Sequence, residues 1–306
     1  MRMAPTLIMG MTLITLGPHS MAASQLTPRQ LYEGAAPGVV YIDGHEDAGM
    51  GSAGTGFIIH LDGLVMTNAH VVMNTERGKP YSRILVVFKP ARVTGNADVD
   101  YANRTPAKVL ALDRQLDLAL LKIAPQADPL TVLSLGEPRD VGIGDWVAAI
   151  GHPESGGLWS LTTGVVSAEF DDFEHTKGKH VFQTEIGLNR GNSGGPLLDV
   201  AGHVIGINTT IARRAPDGYP ITSISFSVKS DVIQYWLDQK GYGIATVSLS
   251  TDSKIVPVAG PRTPAPMEKP FRTEFRPYSQ EDVTTKLRTL EGDFKKAMDE
   301  MENLFR

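Results

Sequence analysis

Twelve short apolar runs, separated by clusters of Gly, Pro, Asn and Asp, constrain the fold more than any other feature of this sequence. The first six runs are residues 38–42, 56–60, 64–67, 84–88, 108–112 and 118–123. The second six are residues 146–150, 158–168, 181–184, 196–199, 204–208 and 221–228. Short strands at this spacing are typical of β-sandwiches and β-barrels, not of alternating βαβ units. The chain is therefore predicted to be all-β, with Asp62-Gly63 closing one hairpin.

Two short helices are predicted at the ends of this β-rich region. Thr27-Pro28 has the residue types preferred at the cap and first position of a helix, which we place at residues 25–33. Ser230-Asp231 can cap a second helix, whose apolar residues are 232–237. Gly241 is a residue type that commonly ends a helix, so we expect the second helix to stop there.

Residues 1–23 are predicted to be a secretory signal peptide. Arg2 supplies a positive start, residues 4–17 are mostly apolar, and Ser20-Met21-Ala22 offers the small residues that a signal peptidase reads. The alternative is an uncleaved anchor, although the apolar run is shorter than the ~20 residues of a comfortable membrane span. We expect an exported protein with no stable membrane span after cleavage. The absence of cysteine suits a bacterial periplasm or the cell exterior.

The composition changes after a folded domain that we place at residues 24–245. Residues 246–278 are predicted to be a linker, since six prolines lie between Thr251 and Pro277. Residues 279–306 are predicted to form a helix whose apolar residues recur at alternating spacings of four and three: Val283, Leu287, Leu290, Phe294, Ala297, Met301 and Leu304. This heptad pattern is typical of a coiled coil, so we expect a homo-oligomer assembled through this helix. The alternative is a single amphipathic helix that docks on its own domain.

The composition also argues against several classes of function. The net charge of −5 gives no overall basic field, so a nucleic-acid partner is not expected. The absence of cysteine excludes disulfides, zinc–cysteine sites and a cysteine nucleophile. No cofactor and no metal is expected. The one candidate for a cation is Asp98-Val99-Asp100, within an insertion at residues 89–106 that we predict to be a surface hairpin loop.

The stretch 189–197, with the sequence Asn-Arg-Gly-Asn-Ser-Gly-Gly-Pro-Leu, places Ser193 among glycines just before an apolar run. Glycine permits backbone conformations that other residues avoid, and it lets a substrate carbonyl approach the main chain closely. A serine nucleophile needs both properties when neighbouring N–H groups must stabilise an oxyanion. The same string also fits a glycine-rich turn with an ordinary serine, so a base and an orienting acid are required elsewhere.

His70 and Asp117 are the candidates for that base and acid. His70 directly follows the predicted strand 64–67, and a histidine can act as a general base near neutral pH. The other seven histidines lack such a local frame. Asp117 begins a nearly continuous apolar strand, where an unpaired charge would be costly, so it needs a hydrogen-bond donor such as the second ring nitrogen of His70. Asp113 is the near competitor and could be a turn residue.

The sequence resembles the HtrA group of trypsin-like serine proteases from about residue 31 to 237. The resemblance rests on the stretches 54–57 (Gly-Thr-Gly-Phe), 67–72 (Thr-Asn-Ala-His-Val-Val), 117–122, 149–153, 163–167 and 189–197. The chain order of His70, Asp117 and Ser193 is that of chymotrypsin. The resemblance implies two perpendicular six-stranded antiparallel β-barrels, at about residues 37–123 and 132–228, with the three residues in the cleft between them.

The resemblance also implies a role for each residue. Ser193 would attack a peptide carbonyl, His70 would take and return the proton, and Asp117 would hold the imidazole tautomer. The N–H groups of Gly191 and Ser193, with that of Asn192 between them, would form the oxyanion hole. A neutral Asn192 cannot form the ion pair with a new N-terminus that activates digestive enzymes of this type. Control through the ordering of loops at residues 158 and 190 is expected instead.

By the same resemblance, Leu188, Ser225, Phe226 and Val228 would line the pocket for the substrate residue before the cut, which would then be aliphatic or small. Ser225 stands where the family usually has glycine. The PDZ domain that usually follows the protease is expected to be absent. These expectations describe an exported serine endopeptidase acting on misfolded or unstructured proteins and peptides. The alternative is a non-catalytic, chaperone-like or binding module that keeps the protease fold.

Overall fold

A computed structural model describes residues 25–46, 51–124, 126, 129–154, 156–211 and 224–247. The predicted signal peptide and heptad helix lie outside the described residues, as does the linker after residue 247. Residues 246 and 247, the first two of the predicted linker, form a short strand. Among the described residues, no helix is long and apolar enough to cross a membrane.

The first half of the chain forms a closed antiparallel barrel. Its strands and their neighbours are β1 (Val39–His45), β2 (Gly51–His60), β3 (Leu64–Thr67), β4 (Met73–Asn74), β5 (Lys79–Pro80), β6 (Arg83–Val87), β7 (Arg104–Asp113) and β8 (Leu118–Ile123). Six of them close the barrel in the order β1-β2-β3-β8-β7-β6, and β4 with β5 forms a separate hairpin. The turn at Asp62-Gly63 joins β2 to β3, with Gly63 at φ +82°, as predicted.

The second half forms another ring of six antiparallel strands. Its elements are β9 (Leu135–Gly136), β10 (Trp146–Gly151), β11 (Ser160–Phe170), β12 (Val181–Thr184), β13 (Pro196–Leu198), β14 (Val204–Ile211), β15 (Ser225–Lys229) and β16 (Thr246–Val247). The ring runs β13-β10-β11-β12-β15-β14 and is closed by pairing between β13 and β14, while β9 and β16 extend it by parallel pairing. The predicted pair of six-stranded barrels is confirmed.

Within the ranges that the structure describes, four α-helices accompany the barrels: α1 (Pro28–Ala35), α2 (Ala69–Val72), α3 (Ala97–Asp100) and α4 (Ser230–Gln239). Thr27 caps α1 through a capping box with Gln30. The predicted cap of α4 is wrong, because Lys229 occupies the cap position and the Ser230 hydroxyl donates to the Gly136 carbonyl at 2.7 Å. Gly241 follows α4 at φ +79°, in the left-handed conformation that ends many helices.

The core has three parts, and β8 shows how the sequence builds two of them. Alternate residues of a strand point to opposite faces. Leu118 and Leu120 join the largest cluster, which also contains residues of the second barrel and of α1 and α4. Ala119, Leu121 and Ile123 fill the cluster of the first barrel. Because both faces of β8 are buried, its sequence is almost continuously apolar. Asp117 directly precedes this strand.

Candidate active site

A cavity of about 420 Å³ is lined by residues of both barrels, including His70, Gly191 and Ser193. His70 lies in α2, directly after β3, and its side chain is about half-exposed. Ser193 lies in the loop that precedes β13. The two barrels therefore each contribute one of these side chains to a common cavity.

His70 is held by the carboxylate of Asp117 at two points. Its backbone N–H donates to Asp117 Oδ1 at 3.0 Å, and its ring Nδ1 lies 2.7 Å from Asp117 Oδ2. The backbone carbonyl of Asp117 accepts from the Asn68 side chain at 2.9 Å. Asp117 itself has φ +59°, a conformation that costs a non-glycine residue energy and that these contacts hold in place.

The competitor Asp113 has another role, since its Oδ1 accepts from the backbone N–H groups of Gln115 and Leu116 at 2.9 Å. It is a turn residue just before β8. Of the two candidate acids, only Asp117 reaches His70.

The carboxylate of Asp117 accepts one further hydrogen bond, from Thr209 Oγ1 to Oδ2 at 2.6 Å. Burial raises the pKa of the Asp117 carboxyl, but hydrogen bonds and the charge of His70, together with the Thr209 hydroxyl, lower it by more. The net pKa lies below its ordinary value, so Asp117 is ionised at neutral pH. An ionised carboxylate at this position favours the Nδ1–H form of the His70 ring.

The Ser193 hydroxyl donates to the backbone carbonyl of Thr209 at 3.3 Å. In the described part of the chain this is its one hydrogen bond, and the hydroxyl is not bonded to His70. Thr209 therefore contacts both Asp117, through its side chain, and Ser193, through its backbone.

The loop before Ser193 is a tight turn across residues 189–192. The Asn192 N–H donates to the Asn189 carbonyl at 3.1 Å, and Gly191 has φ +91°, which a type II turn requires at its third residue. A Cβ on Gly191 would lie 2.0 Å from the His152 carbonyl oxygen, so only glycine fits there. The Arg190 carbonyl accepts from the Glu154 N–H at 2.6 Å. Because C=O and N–H point in opposite directions across a trans peptide, the Gly191 N–H points away from Glu154.

Thr55 in β2 connects this loop to the rest of the molecule. Its backbone N–H donates to the Ser193 carbonyl at 2.9 Å, and its hydroxyl donates to the Gly191 carbonyl at 2.6 Å. The Thr55 hydroxyl also lies 2.9 Å from Nδ1 of His152, a buried histidine whose pKa burial lowers to about 3. Asn192, the uncharged side chain for which no ion pair is expected, is buried against Gly151.

The structure separates the residues predicted for the substrate pocket. On β15, Ser225 points to one face and donates to the Ile186 carbonyl, whereas Phe226 and Val228 point to the other. Phe226 packs on Phe173 at 4.6 Å, and Val228 is fully buried in the largest core cluster. Leu188 is buried with residues of the second barrel. Strand alternation places neighbouring residues of β15 on opposite faces, and the role of these four residues in a substrate pocket stays a prediction.

The sequence reasoning gave no role to three residues that contact this arrangement: Thr209, Thr55 and His152. Thr55 stands inside the Gly54-Thr55-Gly56 stretch that was singled out, but its hydroxyl has no recognisable local signal. The described residues contain no cluster of His, Asp and Glu that could hold a metal ion. The Asp100 carboxylate, a suggested cation ligand, accepts hydrogen bonds from Thr94 and Gly95.

Comparison with known proteins agrees with this geometry. Residues 54–207 match the family of the trypsin-like peptidase domain. A protein of Halomonas elongata named "Probable periplasmic serine endoprotease DegP-like" is 38% identical over 192 residues, covering 61% of this chain and 35% of that protein. A protein of the same name from Chlamydia trachomatis is 39% identical over 187 residues, covering 61% and 33%. The chain thus matches about a third of the length of these curated relatives.

Solved structures show the same relationship. The structure described as the HtrA-type protease AlgW with tripeptide superposes with a TM-score of 0.57 at 28% sequence identity, covering 71% of this chain and 64% of that one. The matched family segment contains His70, Asp117 and Ser193 within one continuous stretch. The chain therefore belongs to the trypsin-like peptidase domain family and is of the HtrA-like type.

Proposed function

We propose that this protein is an exported serine endopeptidase that hydrolyses peptide bonds in misfolded or unstructured proteins through His70, Asp117 and Ser193. The observation that carries the proposal is the pairing of His70 with Asp117 at 2.7 Å, in the same cavity as Ser193. A buried, ionised carboxylate in this position orients the imidazole ring with its hydrogen on Nδ1, so that Nε2 faces the substrate side as the acceptor. That nitrogen is the general base that the reaction needs.

The reaction follows the acyl-enzyme course of the Ser-His-Asp triad. Ser193 Oγ attacks the substrate carbonyl carbon while Nε2 of His70 accepts the hydroxyl proton. His70 then donates this proton to the leaving amine as the C–N bond breaks, which leaves an acyl-enzyme on Ser193. A water molecule hydrolyses the acyl-enzyme by the same proton transfers. Asp117 stays ionised throughout and stabilises the charged imidazolium.

The oxyanion of the tetrahedral intermediate would be bound by the N–H groups of Gly191 and Ser193. The Arg190–Gly191 peptide supports this role for Gly191, since the Arg190 carbonyl is engaged by the Glu154 N–H and the Gly191 N–H points the opposite way. Asn192 is less suited than predicted, because its N–H already donates to the Asn189 carbonyl inside the turn. Two donors are enough for oxyanion stabilisation in enzymes of this kind.

The Ser193 hydroxyl must turn from the Thr209 carbonyl toward His70 before it can react. Catalytic hydrogen bonds of free enzymes often tighten only when substrate binds, so we assign this movement to substrate binding. The neutral, buried Asn192 supports activation without a new N-terminus, because the loop is already held by Thr55 and Glu154.

The wider function follows from the sequence pattern and the relatives together. Export to the periplasm or the cell exterior rests on the predicted signal peptide at residues 1–23 and on the relatives' periplasmic names. We infer that the protein cleaves polypeptide substrates without a cofactor. We also infer that the predicted helix 279–306 joins copies of the chain into a homo-oligomer.

Proteolysis of an unfolded protein tests the function directly. The purified full chain is incubated with reduced, carboxymethylated lactalbumin and with the native, disulfide-bonded protein, beside the S193A variant. We expect fragments from the unfolded substrate only, and none with S193A. If the folded wild-type chain cuts neither substrate but suppresses the aggregation of the unfolded one, the protein is a binding module and not an endopeptidase.

A further inference from the structure

His152 occupies an unusual position for a histidine. It follows β10, is nearly fully buried, and packs edge-on against two aromatic rings, Tyr41 at 5.3 Å and Trp159 at 4.6 Å between ring centres. Its Nε2 atom is buried and has no hydrogen-bond partner among the described residues. A buried polar atom without a partner is costly, and the contact made by the other ring nitrogen can offset that cost.

The hydrogen bond between Nδ1 and the Thr55 hydroxyl identifies the tautomer of the His152 ring. The Thr55 hydroxyl has one proton, and at 2.6 Å the Gly191 carbonyl oxygen can only accept it. The Thr55 oxygen must then accept from His152 Nδ1, which lies 2.9 Å away. Nδ1 therefore carries the hydrogen, and Nε2 is a bare lone pair. A relay of two hydrogen bonds runs from His152 through Thr55 to Gly191.

The relay ends on Gly191, whose backbone N–H is the proposed oxyanion donor. The carbonyl on the N-terminal side of Gly191, that of Arg190, is held by the Glu154 N–H, and the carbonyl of Gly191 itself is held by Thr55. Both peptide planes that flank Gly191 are thus fixed, and with them its φ of +91°. A rotation of either plane would turn the Gly191 N–H away from the substrate.

We propose that His152 is a positioning residue that, through the Thr55 hydroxyl, holds Gly191 in the conformation that presents its N–H to the oxyanion. The ring does not touch the reacting atoms. It fixes the side-chain rotamer of Thr55 by donating to its oxygen, and Thr55 fixes Gly191. The inference rests on the proposed function, since it concerns the oxyanion hole of that same reaction.

Substitutions at His152 separate this role from simple packing. H152F keeps an aromatic ring between Tyr41 and Trp159 but cannot donate to Thr55, whereas H152N places an amide N–H near the position of Nδ1. For a chromogenic peptide substrate, we expect H152F to lower kcat by about 10- to 100-fold, less than the 10²–10³ lost with an oxyanion donor itself, and to leave KM nearly unchanged. H152N should recover most of the kcat. A purely structural role would give the opposite order, with H152F closer to wild type.

A double-mutant cycle with Thr55 tests the relay itself, and its comparison of T55V with T55S stays informative if H152F does not fold. T55V removes the hydroxyl at nearly constant shape, and T55S keeps it. We expect T55V to lower kcat at least as much as H152F, T55S to remain close to wild type, and the H152F/T55V pair to lose no more than T55V alone, because both act on one contact. Circular dichroism and thermal unfolding establish that each variant is folded.

Multiplied losses in the H152F/T55V pair, or an unchanged kcat in folded H152F and T55V, would overturn the inference. A wild-type chain that neither labels with a fluorophosphonate nor turns over substrate would instead refute the proposed function. In that case the relay is still readable from the backbone ¹⁵N–¹H resonance of Gly191, which does not depend on catalysis. H152F and T55V should shift this resonance in the same direction and T55S should leave it in place, and an unchanged resonance in both H152F and T55V would overturn the inference as well.

Discussion

The backbone N–H of Glu154 donates to the backbone carbonyl of Arg190 at 2.6 Å. This contact joins the segment after β10 to the turn before Ser193. It directs the Gly191 N–H away from Glu154, because the two groups of a trans peptide point in opposite directions. A neighbouring backbone segment thus helps to hold the turn before Ser193, together with the Thr55 hydroxyl on Gly191.

Gly191 is predicted to tolerate no side chain. In G191A the new Cβ would lie 2.0 Å from the His152 carbonyl oxygen, and φ +91° is unfavourable for alanine. We expect kcat to fall by about 10²–10³, as for the loss of an oxyanion donor. The matched control is G178A, since Gly178 also has a positive φ, of +79°, but has no atom near its Cβ position. G178A should cost about 1–2 kcal/mol of stability without affecting kcat.

Thr209 is predicted to stabilise the ionised form of Asp117. T209V removes the 2.6 Å hydrogen bond to a largely buried carboxylate, so the free energy of unfolding at pH 7 should fall by about 1.5–3 kcal/mol. Because the pKa of Asp117 is lowered in the folded state, this stabilisation is present above the unfolded pKa, near 3.8, and is lost as the pH falls through the folded pKa.

The control for Thr209 is T209S, which keeps the hydroxyl. Urea unfolding at pH 7 and at pH 3 measures both effects. T209S keeps the hydrogen bond and should lose only about 0.8 kcal/mol, for one buried methyl group, at both pH values. A difference between wild type and T209V that does not shrink at pH 3 would show that the threonine acts by packing alone.

His152 is predicted to remain neutral in the folded protein well below its ordinary pKa of 6.5, because burial lowers that pKa to about 3. The unfolded chain takes up a proton at this residue as the pH falls below 6.5. The free energy of unfolding should therefore decrease toward low pH by about 1.4 kcal/mol per pH unit from this group alone. H152F should lack this part of the slope.

Nuclear magnetic resonance of the ¹⁵N-labelled imidazole provides the direct measurement for His152. At pH 5 the spectrum should show a neutral ring with its proton on Nδ1. A doubly protonated ring at that pH, in folded protein, would contradict both the low pKa and the assignment of Thr55 as the acceptor.

The predicted helix 279–306 is expected to assemble the protein. Removal of the chain after Pro277 should lower the solution mass measured by light scattering to that of a single chain. The same mass before and after truncation would favour a helix that docks on its own domain. A full-length variant with Leu287 and Leu290 changed to glutamate separates loss of the heptad from loss of the whole segment.

Most of the strands and turns could be predicted from the sequence because strand periodicity and turn residues are local signals. The run at residues 118–123 coincides with β8, and the predicted hairpin turn at Asp62-Gly63 joins β2 to β3. The cap of α4 could not be read in this way, because the Ser230 hydroxyl bonds Gly136, a residue distant in sequence. At Ser230 a tertiary contact thus takes the place of the helix-capping bond that serine prefers locally.

The candidate site was predictable only in part, for the same reason. His70 and Asp117 stand beside recognisable strands, and the structure brings them together. Thr209 meets Asp117 across 92 positions, and His152 meets Thr55 across 97, so neither pair leaves a local pattern. The pocket prediction, which stays a prediction, treated residues 225, 226 and 228 as one surface, whereas alternate residues of a strand face opposite sides.

The central claim, that Ser193 is an activated nucleophile, is tested most directly by reaction with a fluorophosphonate and mapping of the modified peptide by mass spectrometry. Ser52 lines the same cavity and supplies an internal control. We expect one phosphonate per chain on Ser193, retained in S52A and lost in S193A and H70A. An unmodified Ser193 in demonstrably folded protein, or equal modification of Ser52, would contradict the account.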